Sequence, residues 1–144
     1  MEIVKIKRFS KRSFEAVLRF LPQLSADAEI LTRQYFKNIL ASEGIHLFLA
    51  TIDKKQIVGM LTIATYKTPP GIKVWIEDVI VDESHRGKGI GRELMLFAID
   101  YSGSLGAKYI CLTSRPSRVA ANELYLKLGF KKYETNFYKY RLGD

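Results

Sequence analysis

The stretch VWIEDVIVDESHRGKGIG, from Val74 to Gly91, constrains this chain more than any other. Val74, Trp75, Ile76, Val79, Ile80 and Val81 are β-branched or aromatic, the composition of a strand covered on both faces. Two acids, Glu77 and Asp78, interrupt it. Arg86-Gly87-Lys88-Gly89-Ile90-Gly91 follows, and then a helical stripe of Ile90, Leu94, Phe97, Ala98 and Tyr101. The glycines therefore sit where a helix begins, beside N–H groups without internal partners and the positive end of the helix dipole. Glycines let a bulky anion approach the backbone, and Arg86 and Lys88 add charge, so the pattern reads as a diphosphate site. Two common phosphate loops fail on register. Neither Asp82 nor Gly89 fits a G-x-x-x-x-G-K-[ST] loop, and Arg92 stands where G-x-G-x-x-G needs its third glycine.

What does match is [RQ]-x-x-G-x-[GA], met by Arg86, Gly89 and Gly91 after a strand ending in Val-x-Val-Asp. This resembles the acetyl-CoA loop of the GNAT superfamily of N-acyltransferases. A second stretch, Ala121-Asn122-Glu123-Leu124-Tyr125-Leu126-Lys127-Leu128-Gly129-Phe130, is similar to the A-x-x-L-Y-x-x-x-G-F element of the same superfamily. The resemblance implies an α/β (α+β) fold. Its central sheet would be mixed, mostly antiparallel and twisted, with about seven strands flanked by about four helices.

A chain of 144 residues is expected to form a single domain over 1–144 and to bury roughly two-thirds of its unfolded surface. No apolar run is long enough to span a membrane, and MEIVKIKRF lacks the core of a signal peptide, so a cytoplasmic location is expected. The lone Cys111 lies in an apolar run, where a buried, inert thiol is expected, and it offers neither a disulfide nor a cysteine-based metal site. The net charge of +8 would suit nucleic acid. The basic residues are scattered, however, and no groove-reading module appears, so no specific nucleic-acid partner is expected. A basic cleft serves coenzyme A equally well.

Taken in order, Ile3, Val4, Ile6 and Phe9 suggest a first strand. Phe14, Val17, Leu18 and Leu21 suggest a helix ending near Pro22. Ile30, Leu31, Gln34, Tyr35, Ile39 and Leu40 suggest a second helix. Between the two helices, Gln23 to Glu29 is polar, and in the superfamily this region shapes the acceptor pocket. His46 to Ile52 and Ile57 to Tyr66 read as a hairpin, with Gly59 marking a bulge, a close backbone approach or an edge. Tyr109 to Thr113 reads as a buried strand, parallel to the central one. Arg118 to Leu128 reads as a helix capped by Ser117 and closed by Gly129, with Phe130 packing back on it. Tyr133 to Leu142 is strand-like and aromatic, a segment that could pair across a homodimer.

Acetyl transfer to an amine needs a bound donor, a base, an oxyanion site and a proton for the thiolate. The resemblance implies that acetyl-CoA is the cosubstrate and that no metal takes part. Val79, Ile80 and Val81 would pair with the pantetheine arm, and the amides from Gly87 to Arg92 would hold the diphosphate. A backbone N–H near Val79 to Val81 would polarise the thioester oxygen. Adjacent residues of a regular strand face opposite ways, so only one of Glu77 and Asp78 should meet the amine. Glu77 is favoured as base, directly or through a water, with Asp78 as the alternative. The resemblance makes Tyr125 the thiolate's proton donor, although on spacing alone it is equally a core aromatic. Asn122 is a candidate contact for pantetheine. Relatives carry an Asn seven residues before this Tyr, whereas this chain has Arg118, which could pair with a phosphate instead. His46 and His85 are not expected to be catalysts. The expected activity is N-acetylation of a small-molecule or peptide amine by direct transfer in a ternary complex. A non-catalytic acyl-CoA-binding module and a protein lysine or N-terminal acetyltransferase are the alternatives.

Overall fold

The computed structural model describes residues 1–26 and 29–143. It divides into two compact units, Met1–Thr113 and Ser114–Asp144. The first holds β1 (Glu2–Lys5), α1 (Lys11–Leu24), α2 (Arg33–Ala41), β2 (Ile45–Ile52), β3 (Gln56–Thr68) and β4 (Gly71–Val81). A short turn of 3-10 helix (Glu83–His85), α3 (Ile90–Ser104) and β5 (Ile110–Leu112) complete it. The sheet order is β1-β2-β3-β4-β5, antiparallel throughout except for the parallel pair β4/β5.

Each face of the sheet is covered by helix because its strands alternate two sets of apolar side chains. Leu47, Leu49, Ile57, Met60 and Ile80 join Phe14, Val17 and Phe20 of α1 and Phe36 of α2 in one core. Phe48 faces the other way and meets the rings of Phe97 and Tyr101 on α3, at centroid distances of 4.8 and 4.9 Å. Leu94, Met95 and Ala98 of α3 are fully buried.

Local chemistry sets most element ends. Ser10 caps α1 by accepting from the Ser13 N–H at 3.1 Å, and Thr32 caps α2 by accepting from Tyr35 N–H at 3.0 Å. α1 does not end near Pro22 as expected but runs on to Leu24 with Pro22 inside it. In the last turn a proline forfeits only one helical bond, and the Ser25 N–H still reaches Leu21 O at 3.1 Å. Of the polar stretch 23–29, Gln23 and Leu24 thus belong to the helix, while Asp27 and Ala28 lie outside the described residues. α2 starts later than the apolar pattern suggested. Ile30 is 91% exposed, and fully buried Phe36 is its core residue.

Two irregularities shape β4. At Gly59 of β3 the register against β2 shifts, and a Cβ there would stand 3.0 Å from Ile80 O and 3.1 Å from Leu94 Cδ1. Bulge and close approach therefore coincide at this glycine. Further along, Thr62 pairs with Asp78 but Ile63 pairs with Ile76, which leaves Glu77 as the extra residue of a second bulge.

The sheet has five strands, not about seven. Tyr133 to Leu142 forms no strand, and Tyr133, Phe137, Tyr138, Tyr140 and Leu142 are exposed. Its aromatic residues favour an extended pleat, but that preference yields a strand only where a neighbouring strand takes up the backbone hydrogen bonds. Cys111 also departs from expectation and is exposed, because the three-residue β5 is the last strand of the sheet and turns this side chain outward.

The second unit is built on α4 (Val119–Lys127). The expected cap by Ser117 does not form, since the helix starts one residue later and Arg118 takes the cap position, where its side chain makes no capping bond. Its far end closes as expected. Gly129 takes φ +93°, its N–H reaches Leu126 O and the Phe130 N–H reaches Tyr125 O, both at 3.0 Å. The Phe130 ring lies 5.9 Å from that of Tyr125.

Candidate active site

The bulge in β4 decides how the two acids are presented. In a regular strand Glu77 and Asp78 would face opposite ways. The extra residue breaks that alternation, and Glu77 and Asp78 both line one cavity of about 330 Å³. Its other walls are Tyr35, Asn38 and Ile39 of α2, its C-cap Ser42, Ile45 of β2 and Thr62 of β3. The expectation that only one acid reaches this space is thereby corrected. The lining thus holds two acids in a chain that is strongly basic as a whole. Such a wall favours a positively charged guest, and a carboxylate there can also take a proton from it. Tyr35 and Asn38 escaped the sequence reading. Tyr35 had been counted in an apolar stripe, and only the observed start of α2 turns it to the cavity.

Beyond the bulge, one edge of β4 has no strand partner among the described residues of the N-terminal unit. β5 pairs only with Val74, Trp75 and Ile76, so within the N-terminal unit no strand lies beside Val79, Ile80 and Val81 on that side. On the other edge these three are held in register by Leu61, Met60 and Gly59 of β3. A rigid strand with one free edge can take an extended ligand as an additional strand.

The glycine loop follows directly. The carboxylate of Asp82 caps the 3-10 turn, accepting from Ser84 N–H at 3.2 Å and from Ser84 Oγ at 2.7 Å. These bonds, first that from the Ser84 hydroxyl, hold its carboxyl below the ordinary value, with help from Arg19 and against the effect of burial. Gly87 and Gly89 take φ +75° and +81°, left-handed values open to glycine. Gly89 is the cap of α3 and supplies no side-chain bond, so the first N–H groups of the helix at Ile90, Gly91 and Arg92 have no capping side chain. A Cβ at Gly87 or Gly89 would meet no protein atom within 4 Å. Backbone conformation, rather than crowding by the protein, is what requires glycine here.

The cations of the loop take different directions. Arg86 donates from Nε to Val81 O at 3.1 Å and from Nη2 to Gln23 Oε1 at 3.3 Å. Arg92 lies 3.6 Å from Glu93 on the exposed face. Lys88 donates to Ser84 O at 3.4 Å and lines a different cavity of about 280 Å³, together with Met1, Ile52, His85, Ile90 and Glu93. His85 is turned inward beside Asp82, with Nδ1 2.8 Å from Ser84 Oγ. His46 is buried, and its ring touches Lys5 and Thr65. Burial, and then the Lys5 ammonium, hold its pKa below 6.5.

In the C-terminal unit, burial pushes the Tyr125 phenol above its ordinary pKa of 10.0, with Arg118 acting the other way. The hydroxyl therefore keeps its proton at neutral pH. Asn122 spends its Nδ2 donor on Arg115 O at 2.9 Å, which leaves its Oδ1 to accept from a ligand. Among the described residues no group of three His, Cys, Asp or Glu could hold a metal ion, and no helix is long and apolar enough to cross a membrane.

The model of the acetyltransferase (GNAT) family matches residues 11–130. The uncharacterized N-acetyltransferase YycN of Bacillus subtilis is 28% identical over 114 residues, covering 76% of this chain and 72% of its own. The glucosamine 6-phosphate N-acetyltransferase of Trypanosoma brucei brucei is 39% identical over 59 residues, 41% of this chain and 38% of its own length. In fold, the chain is similar to the aminoglycoside acetyltransferase meta-AAC0020 from an uncultured soil metagenomic sample, in its complex with trehalose. The TM-score is 0.87 at 17% identity, over 99% of this chain and 96% of that one.

Proposed function

Given that this chain belongs to the GNAT acetyltransferase family and is an acyltransferase, we propose that it moves an acetyl group from acetyl-CoA to a primary amine by direct transfer in a ternary complex. The observation that carries this reading is the order of features along β4: two carboxylates at a bulge, then a bare edge, then a left-handed glycine loop opening a helix. In this reading the thioester, amine and diphosphate lie in turn along one strand.

In this reading the pantetheine arm lies along Val79, Ile80 and Val81. The diphosphate lies on the N–H groups from Gly87 to Arg92, with Arg86, Lys88 and Arg92 as the surrounding cations. Glu77 takes a proton from the acceptor ammonium, directly or through a water, and the free amine attacks the thioester carbonyl. The C–N bond forms, and a β4 N–H stabilises the oxygen that gains charge. The C–S bond then breaks with its electron pair on sulfur, and Tyr125 gives the thiolate a proton. The surplus proton of the attacking nitrogen passes back to the Tyr125 oxygen, which leaves a neutral amide, a free thiol and a protonated Glu77 that returns its proton to solvent. Asn122 Oδ1 accepts from a pantetheine amide.

The acceptor is a small-molecule amine or the amine of a peptide, drawn to the cavity walled by Glu77, Asp78, Tyr35 and Asn38. Amino sugars, aminoglycosides and lysine peptides are the first candidates to test. The experiment is a turnover screen of acetyl-CoA against amines and peptides, followed by free thiol. Thiol release that depends on an added amine is expected. Tight coenzyme A binding with no release against any amine would instead identify a non-catalytic acyl-CoA-binding module.

A further inference from the structure

The diphosphate loop does not stand alone; the last turns of α1 hold it from the side. Gln23 Oε1 accepts from two groups of the loop, the Glu83 N–H at 3.3 Å and Arg86 Nη2 at 3.3 Å. The amide is itself oriented by its Nε2, which donates to Arg19 O at 3.4 Å. One turn earlier, Arg19 places Nε 3.3 Å from Asp82 Oδ2 and donates from Nη2 to Ile57 O at 2.7 Å. Asp82, in turn, caps the turn through Ser84, and its N–H donates to Val58 O at 2.9 Å. Two side chains of one helix, four residues apart, therefore meet the loop at Asp82, Glu83 and Arg86.

We propose that Gln23 is a positioning residue for the diphosphate of the acyl donor, acting through Arg86. A guanidinium on a flexible stem loses rotamer freedom whenever it binds a phosphate, and an arginine already fixed loses less. Here Arg86 is fixed at two points, Nε on Val81 O and Nη2 on Gln23. Its remaining N–H donors are left for an anion. The same amide oxygen holds the N–H of Glu83, so the turn that delivers the chain to Gly87 is set at the same time. Gln23 itself is neutral and spends its oxygen on the protein. Its contribution reaches the donor only through the loop.

This inference rests on the proposed donor site, and its test separates the two. Gln23→Met keeps the side chain's length and helix preference but removes the acceptor; Gln23→Ala removes both. Each variant is compared with the wild type using acetyl-CoA and using S-acetylpantetheine, which lacks the diphosphate. With acetyl-CoA, KM should rise about tenfold in Gln23→Met while kcat stays the same, the scale of losing one hydrogen bond to a charged group. With S-acetylpantetheine, KM should not move. Calorimetric titration with coenzyme A and with pantetheine should show the same split in Kd, and it reads the effect without any acceptor. An equal loss for both donors would reduce Gln23 to a structural brace and overturn the proposal, as would an unchanged KM and Kd for the diphosphate-bearing ligand. Should the wild type not bind coenzyme A at all, the donor site itself falls. Binding without turnover would remove the catalytic reading and leave the Gln23 result standing on Kd.

Discussion

The two ends of the working stretch of β4 are built by different means. At its far end, the glycine loop, the proposed diphosphate site, is made of backbone: a capped turn, two left-handed glycines and the first N–H groups of a helix. At the bulge, the cavity proposed for the acceptor is lined by residues of three strands and a helix far away in sequence. A backbone site imposes its needs on consecutive residues, and glycine or a capping acid is nearly the only solution at each point. A side-chain site can be met by many residue sets. The first end can therefore stay fixed while the second varies with the acceptor, and the predictions below try to pull the two apart.

The largest effect is expected at the bulge. Glu77→Gln keeps the shape and removes the base, so kcat should fall by about a hundredfold or more, within the usual range for a lost general base. Kd for coenzyme A should stay within error, because no part of the diphosphate loop is touched. Steady-state kinetics and calorimetry on the same sample check both statements. A matching fall in coenzyme A affinity would mean that the two ends are not separable.

Gly89→Val acts on the opposite end and should reverse the pattern. At φ +81° a β-branched residue is strained by about 1–2 kcal/mol, although its Cβ meets no protein atom within 4 Å. The variant should remain folded, with a melting temperature lowered by several degrees. Its KM for acetyl-CoA should rise by about tenfold or more, and the ranking of acceptor amines should be unchanged. A shift in that ranking would show that the loop also shapes the acceptor cavity.

The same contrast explains what the sequence revealed. Strand, loop and helix from Val74 to Gly91 were readable because each residue's requirement is local. The turn at Gly129 with Phe130 folded back was readable for the same reason. The bulge at Glu77 was not, since it exists only in the pairing of β4 with a strand whose own residues carry no mark of it. Assuming regular alternation there sent Glu77 and Asp78 to opposite faces. Phe36 was missed because an apolar run beginning at Ile30 suggested a helix phase that the Thr32 cap overrides. Cys111 looked buried inside an apolar run because nothing local says that its strand ends the sheet. Gln23 reads in the sequence only as the start of a polar stretch, and its bonds to Glu83 and Arg86 appear only where α1 meets the loop.

The smallest effect should come from acid, and it tests whether the loop end is as rigid as its hydrogen bonds suggest. The Asp82 carboxyl is held below its ordinary value of 3.8 by the Ser84 hydroxyl, then by the Ser84 N–H and Arg19. Its charged form is thus favoured in the folded state, whereas the unfolded chain takes up a proton near the ordinary value. The stabilisation is fully present above that value and is lost as pH falls through the lower, folded one. Urea unfolding of the wild type and of Asp82→Asn should therefore differ above pH 3.8, by an amount that also depends on the charge of neighbouring His85, and the gap should close as the pH falls below 3.8. Other carboxylates titrate in both proteins and cancel in the difference. A gap that did not depend on pH would show that the Asp82 charge adds nothing to the cap, so that the neutral hydrogen bonds of Ser84 and the backbone alone keep the loop in place.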